Sequence, residues 1–237
     1  MTPPRQYTHD RAYTVCMTEP LAIDGRRARG DASRRVVLAE AMQLVSVQGL
    51  DGLTIGALAE RSGHRKSSIA TLFGGKEGLQ LATVAAARTV FLSVVIEPAR
   101  AHPRGARRLS ELLANVLEYS RDRVFAGGCF FAATAADVDS KPGAVNDAVR
   151  AVLQEWYGYV EAQIRHAVAA DELAVPESRQ ARLAFHLIAL EEQANSRSLL
   201  FADSGPYACA AGASADLLAA AGAAPAALAR LRALAEE

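Results

Sequence analysis

Five side chains that donate hydrogen bonds or carry positive charge lie close together between residues 65 and 71. They are Arg65, Lys66, Ser67, Ser68 and Thr71. Their position predicts the start of a helix, where the helix dipole is positive and such donors suit an anionic partner. A helix with these donors on its outer face fits the major groove of DNA, because phosphates and base edges accept hydrogen bonds there.

The surrounding residues predict how such a helix is positioned. Thr54 has the side chain of a helix N-cap, and Gly63 can take the left-handed conformation that ends a helix. Each of the two predicted helices has an apolar face with helical spacing. The two faces are Ile55, Leu58 and Ala59 in the first helix and Ile69, Leu72 and Phe73 in the second. Residues 54–73 therefore predict a helix-turn-helix motif.

The region from Val37 to Leu79 resembles the TetR family of transcriptional regulators without a gap. The matching positions are Val37, Leu38, Ala41, Leu44, Gly49, Thr54–Glu60, Gly63, Phe73, Lys76, Glu77 and Leu79. The resemblance implies a DNA-binding head in a homodimer that binds a pseudo-palindromic double-stranded operator. It also implies that lysines anchor phosphates while the polar residues of the second helix lie nearest the bases. The predicted DNA-binding residues are Thr54, Arg65, Lys66, Ser67, Ser68, Thr71 and Lys76.

Four positions depart from the family pattern, namely Ala70, Leu72 and the pair His64-Arg65 in the turn. Ala70 stands where the family usually has a tyrosine that touches a DNA phosphate, and Leu72 stands where an aromatic residue or histidine is common. The missing contact at Ala70 leaves open a dimeric ligand-binding protein with weakened DNA binding. His64, in the turn, is either a helix-packing residue or an added DNA contact.

Composition predicts a soluble, all-α protein. The chain has 237 residues, 51% of them hydrophobic, and is rich in alanine, while β-branched runs and Asn-Gly turns are scarce. No apolar run approaches the length of about 20 residues that a membrane span needs, and no signal peptide opens the chain. We therefore expect a cytoplasmic protein with no membrane partner.

Charge is distributed unevenly along the chain. The formal net charge is zero, but residues 26–80 contain nine cations and five anions, a net charge of +4 on the predicted DNA-binding region. Such a concentration is typical of a DNA-binding module. A solvated charged surface without a partner is the alternative.

The sequence does not support an enzyme, a metal site or a cofactor. Cys16, Cys129 and Cys209 are dispersed, which argues against a disulfide framework and a zinc site. The chain also lacks H-E-x-x-H, G-x-S-x-G and phosphate-binding glycine motifs. An all-helical enzyme is therefore the weaker alternative.

We predict three regions. Residues 1–28 form a mobile tail in which Met17 is an alternative start, residues 29–80 form the helix-turn-helix domain, and residues 81–237 bind ligand and dimerise. The tail ends in Arg26, Arg27 and Arg29, which either reach DNA or form an ordinary basic segment.

We expect about nine helices, with a possible tenth at the C-terminus. The predicted segments are 32–48, 54–60, 65–73, 76–98, a helix around 109–117, 129–139, a helix opened by Pro142, 177–202, 206–221 and 225–235.

The C-terminal half predicts a small-molecule site and a dimer face. Residues 127–145 resemble the start of the regulatory half in one branch of the TetR family, which implies a pocket inside a helical bundle. The candidate pocket residues are Phe91, Tyr119, Phe130, Phe131, Trp156 and His186. Plain core packing is the alternative for each of them, and His186 has the position of a core histidine. Cys129 is either an acidic, oxidisable thiol or a buried inert one.

The dimer face is predicted on residues 183–200 and on the alanine-rich segment after Pro206. Burial inside a monomer is the alternative. These features together predict a ligand-responsive regulator, a repressor that a small and mostly apolar effector releases from DNA.

Overall fold

The computed structural model describes residues 25–237, with side chains from residue 28 onward, and its regular structure is helical throughout. The helices are α1 (Gly25–Gly52), α2 (Ile55–Ser62), α3 (Lys66–Phe73), α4 (Lys76–Phe91), α5 (Glu97–Ala99), α6 (Ala106–Arg121), α7 (Phe130–Val138), α8 (Ala144–Ala169), α9 (Glu177–Phe201), α10 (Gly205–Ala220) and α11 (Ala229–Leu234). A π-helical turn, Leu92–Ile96, joins α4 to α5, and a short 3₁₀ turn, Pro225–Ala227, precedes α11. The all-α prediction is confirmed.

Two predicted boundaries are wrong. Helix α1 begins at Gly25 and not at residue 32, so the last four residues of the predicted tail are helical. The rest of the predicted tail, with Cys16 and the alternative start Met17, lies outside the described residues. Helix α8 begins at Ala144 and not at Pro142, because Gly143 has a φ of 126°, which no helical residue adopts.

Helix α1 bends at Gly49, where it meets α7. Gly49 has a φ of 72° and a ψ of 174°, a conformation that favours glycine. The bend leaves two backbone N–H groups without helical partners, and both donate to Oδ2 of Asp137, from Leu50 at 2.8 Å and from Asp51 at 3.1 Å. A carboxylate on α7 therefore fixes the end of α1.

The apolar segment from Lys76 to Ala99 passes from the N-terminal helices into the body. By length and composition alone it could cross a membrane. In the structure, Leu79, Val84 and Phe91 are buried where α4 packs against α1 and α8, so the segment is a core helix. At the π-helical turn, the amide of Asn115 on α6 donates to the carbonyl of Val95 at 2.8 Å.

Helix α6 lies at the centre of the body. Most of its residues are buried, and it contacts α8, α9, α10 and α11. Arg230 of α11 fixes the C-terminus on α6 by donating to Glu111 at 2.7 Å and to Asn115 at 2.6 Å, and it also pairs with Glu118. The body is therefore one bundle around α6, and α1 and α4 connect it to the N-terminal helices.

Candidate nucleic-acid interface and small-molecule cavity

The turn between α2 and α3 has the predicted geometry. The Thr54 hydroxyl accepts a hydrogen bond from the Ala57 N–H at 3.1 Å, which confirms the N-cap. Gly63 ends α2 with a φ of 69°, and Arg65, in an extended conformation, precedes the first turn of α3. Local sequence signals are sufficient to set this motif.

Helix α3 separates its apolar and polar residues. Ile69 and Phe73 are buried in the core and Leu72 is partly buried, as predicted. The opposite side is exposed and contains Arg65, Lys66, Ser67, Ser68 and Thr71. An α3 face rich in donors is therefore available to a partner.

An open groove of about 620 Å³ runs between α3 and the start of α1. Ser67, Ser68 and Thr71 line it together with Arg29. Gly30 and Ser33 of α1 also line it, and these two residues were absent from the predicted site. They precede the motif by more than 20 residues, and only the packing of α1 across α3 brings them there.

The two predicted phosphate-binding lysines differ in their surroundings. Nζ of Lys66 lies 3.6 Å from the position that a Cβ atom on Gly56 would occupy. This ammonium therefore lies beside the start of α2, which Thr54 caps. Free N–H groups of a helix start and a nearby ammonium form a suitable place for one phosphate. Nζ of Lys76 instead donates to the carbonyl of Asp51 at 3.1 Å, at the end of α1.

Two further residues of the head acquire defined contacts. Nδ1 of His64 lies 2.9 Å from the carbonyl oxygen of Ser62, and because that oxygen only accepts, Nδ1 is the donor. The same ring lines the groove, so His64 packs on α2 and also faces the α3 surface. Arg34 donates to the carbonyl of Leu72 at 2.9 Å and lies 4.5 Å from the centroid of the Phe73 ring. Its charge therefore stabilises the end of α3.

An aromatic cluster in the body surrounds a cavity. The Phe91 ring makes edge contacts with Tyr119, Phe131 and Trp156, with ring centroids 5.6, 5.9 and 5.4 Å apart. Two neighbouring spaces, an inner one of about 20 Å³ and an outer one of about 140 Å³, share Phe91 and Trp156 in their walls and are together called the cavity. Phe131 lines the inner space only.

Three of the six candidate pocket residues line the cavity: Phe91, Phe131 and Trp156. Tyr119 and Phe130 are fully buried behind it and fill the core. The placement of His186 was wrong, because its side chain is exposed on α9 next to Phe185. The buried face of α9 follows Leu183 and Leu187, and His186 falls outside that register.

Two protein-family sequence models match most of the chain. Residues 37–83 match "Bacterial regulatory proteins, tetR family", and residues 105–213 match "Tetracyclin repressor-like, C-terminal domain". The two segments contain the helix-turn-helix and most of the helical body, and together they cover about two thirds of the chain.

The chain belongs to the TetR family of transcriptional regulators.

Solved structures share this fold. A TetR transcriptional regulator from Chloroflexus aurantiacus is 26% identical, with a TM-score of 0.72 over 81% of this chain and 95% of its own. A TetR-family regulator from Agrobacterium tumefaciens is 18% identical, with a TM-score of 0.70 over 82% and 100% of the two chains. AibR, in complex with isovaleryl coenzyme A and operator DNA, is 13% identical, with a TM-score of 0.59 over 69% and 86%. No curated protein matched.

As a TetR-family chain, the protein is a regulator and not an enzyme, and its N-terminal head is a DNA-binding helix-turn-helix. Regulation by a ligand is typical of the family.

The sequence reasoning missed several cavity residues of the TetR body, and the charged one deepest in it is Glu191. Its side chain is buried, and no described residue donates a hydrogen bond to its Oε1 atom. Burial, and next the charge of Glu192, raise the pKa of Glu191 to about 8. Its register was a usable signal, because Glu191 follows Leu183 and Leu187 at intervals of four residues on the apolar face of α9.

Cys129 also lines the inner space. Its side chain is buried, as the second alternative for this cysteine predicts, and burial raises the pKa of the thiol well above the usual range. Cys129 and Cys209 are both free thiols.

Proposed function

We propose that this TetR-family regulator is a cytoplasmic, homodimeric repressor that a small and mostly apolar effector releases from a pseudo-palindromic operator. Residues 29–80 act as the DNA-binding domain, and residues 81–237 bind the effector and form the dimer. Each subunit inserts α3 into one major groove. Arg65, Ser67, Ser68 and Thr71 lie nearest the bases, while Thr54, Lys66 and Lys76 hold phosphates.

One observation carries the proposal: α7 contacts both the cavity and the helix that supports the head. Phe131 of α7 lines the inner space, and Asp137, six residues later on the same helix, accepts hydrogen bonds from Leu50 and Asp51 at the bend of α1. An effector that displaces Phe131 shifts a short helix whose other end holds α1.

The joint between the head and the body contains a second set of polar contacts. Lys141 pairs with Asp51 at 2.7 Å and with Asp137 at 3.2 Å, and Lys76 donates to the Asp51 carbonyl. These bonds tie α1, α4 and α7 to one point. Two arrangements of this joint would give two spacings of the α3 helices, and an effector that binds one arrangement better shifts the population towards it.

The repressor proposal also draws on the family. AibR was solved with both operator DNA and an acyl coenzyme A, so one regulator of this fold accommodates both partners.

A gel shift with the DNA that flanks the protein's own gene tests the proposal directly. Failure to shift that DNA, with dimerisation intact, would favour the ligand-binding protein with weakened DNA binding that Ala70 leaves open.

We expect Lys66→Ala to reduce the salt dependence of operator binding, because each phosphate that is neutralised releases counterions. The plot of log affinity against log salt should become shallower by about one unit per subunit. Arg165→Ala is the matched control, since this exposed cation on α8 pairs with Glu161, one turn away on the same helix. Equal slopes for both variants and the wild type would remove Lys66 from the phosphate contacts.

We expect Leu200→Glu to separate the dimer, because Leu200 is 74% exposed at the end of α9, within the predicted dimer face. Charged groups are costly in the core of a homodimer interface. Sedimentation at several concentrations should give a monomer with unchanged helical content. Val47→Glu is the control, since Val47 is 64% exposed on α1. A Leu200→Glu variant that remains dimeric would contradict the assignment of this face.

A further inference from the structure

The inner space of the cavity ends at an unpaired carboxyl group. Glu191 is 4% exposed, and its Oε1 atom has no hydrogen-bond donor among the described residues. A buried acid without a partner is costly, so its retention in an apolar cavity points to a donor supplied from outside the chain. The space beside it, about 20 Å³, is the size of one water molecule. A primary ammonium group has this size and carries three donors.

Aromatic rings form the walls of this space. Phe91, Phe131 and Trp156 line it, and Phe91 meets each of the other two in a T-shaped, edge-to-face arrangement. Aromatic faces attract cations through their quadrupole, and the attraction is stronger where water is excluded. A carboxylate among aromatic rings is therefore a suitable environment for an ammonium group and a poor one for an anion.

The outer space can hold the rest of a small ligand. Its volume is about 140 Å³. A buried cavity of about 150 Å³ holds a benzene ring in another protein. Its walls include Leu92, Ile96 and Tyr159 as well as Phe91 and Trp156, so an apolar body is suited to it.

The rim of the outer space contains two arginines, which could in principle attract an acid instead. Arg88 is paired with Glu155 at 2.7 Å, and Arg100 is paired with Glu97 at 2.6 Å. Both guanidinium groups are thus already neutralised by carboxylates. The other carboxylates and guanidinium groups of the lining are paired within the described residues, and Glu191 is the one without a partner, so it decides the sign of the charge that the cavity recognises.

We propose that the effector is a primary amine on a short aromatic or alkyl body, with its ammonium group bound to Glu191 in the inner space and its apolar body in the outer space. This inference rests on the proposed function for its regulatory meaning, whereas the binding itself can be measured without DNA.

The proposal gives binding a defined pH dependence. The ionisable groups around the Glu191 carboxyl come from α6, α7, α8, α9 and α10, and are Tyr119, Cys129, Tyr157, Glu192 and Tyr207. Burial raises the pKa of the cysteine and of each tyrosine, so these four stay neutral. Since the pKa of Glu191 is about 8 in the free protein, amine binding must release its proton. Affinity for an amine should therefore rise with pH up to about 8, by about tenfold per unit.

Trp156 provides the readout. It is the only tryptophan in the chain and lines both spaces, so its fluorescence reports on this cavity. The probes are 2-phenylethylamine, 2-phenylethanol and 3-phenylpropionate, which share a ring and differ in charge. We expect the amine to bind about tenfold more tightly than the alcohol near pH 8, and the acid to bind least.

Glu191→Gln should abolish the preference for the amine and its pH dependence, while Glu161→Gln, which changes an exposed acid on α8 that pairs with Arg165, should retain both. Equal binding of amine and alcohol by the wild-type protein, tightest binding of 3-phenylpropionate, or no binding of any probe would overturn the proposal. The wild-type comparison holds even if the Glu191 variant fails to fold.

Operator release, followed by the anisotropy of labelled DNA, separates this inference from the proposed function. Release by 2-phenylethanol as readily as by the amine would overturn the amine site and leave the repressor. Tight amine binding in the fluorescence titration without any release would support the site and contradict the repressor mechanism.

Discussion

Glu191→Gln should make the folded chain more stable in alkaline solution, by about 4 kcal/mol near pH 9. The reason is the pKa of Glu191, which burial raises from 4.5 to about 8 in the folded protein. The folded state then binds the proton more tightly than the unfolded state. The contribution of Glu191 to stability is therefore fully present below about pH 4.5 and is lost as the pH rises to about 8. Glutamine does not ionise, so the variant loses this dependence.

Urea unfolding at about pH 5 and about pH 9 measures the effect, because the two proteins should differ little at the first pH and widely at the second. Glu161→Gln is the control, since Glu161 is an exposed acid on α8 that pairs with Arg165. Its stability should stay within about 0.5 kcal/mol of the wild type at both pH values. Parallel stability curves for wild type and Glu191→Gln would show that the carboxyl has a partner or is hydrated.

A residue that lowers stability at the pH of its function needs a reason to be present. Substitutions that improve stability are easy to find, and their recurrent cost is lost function. If Glu191→Gln loses amine binding and gains stability in alkaline solution, then effector binding explains why an acid is present at this position.

The motif of the head could be predicted from sequence because its signals are local. Thr54 caps the helix that directly follows it, Gly63 ends that helix, and Ile69 and Phe73 are buried by helical spacing alone. The contributions of Gly30 and Ser33 to the groove could not be predicted, because they depend on how α1 packs across α3.

In the body, too, local patterns could be predicted from sequence and long-range packing could not. Its helices could be predicted from their apolar periodicity, and Leu183 and Leu187 mark the buried face of α9, but the edges of that face could not be predicted, because large apolar residues occur on the exposed side as well, including Phe185 and Leu200. His186 was consequently assigned to the buried side. Glu191 was overlooked because an acid at an apolar position looks like an interruption of the pattern, and only its burial beside Trp156 reveals a site.

Gly127→Ala should destabilise the protein and weaken operator binding, because Gly127 lies where the body supports α1. Its N–H donates to the Ser46 hydroxyl of α1 at 3.1 Å, and an added Cβ would lie 1.8 Å from the carbonyl oxygen of Ser46. The Ser46 backbone cannot yield without moving α1. We expect a loss of about 3 kcal/mol, at the upper end for an overpacked core.

The same contact positions the head. Gln43, one turn before Ser46 on α1, donates to the Val124 carbonyl at 3.0 Å and accepts from the Ala126 N–H at 2.8 Å. The turn between α6 and α7 therefore holds α1 by three hydrogen bonds, and a methyl group at Gly127 would push α1 away from all of them. Because α1 forms one side of the groove at α3, its displacement should change the spacing of the two α3 helices in the dimer.

Gly158→Ala is the matched control, since it makes the same chemical change in the exposed middle of α8, where an added Cβ meets nothing within 4 Å. It should raise stability by about 0.5 to 1 kcal/mol, because alanine favours a helix over glycine.

Two measurements separate a structural role of Gly127 from a role in positioning the head. Thermal unfolding reports on the stability of the fold, and operator affinity, measured well below the unfolding temperature, reports on DNA binding. Lower stability with wild-type operator affinity would make the contact structural only. Lower affinity in a sample that is fully folded would show that the position of α1 controls DNA binding, as coupling through α7 requires.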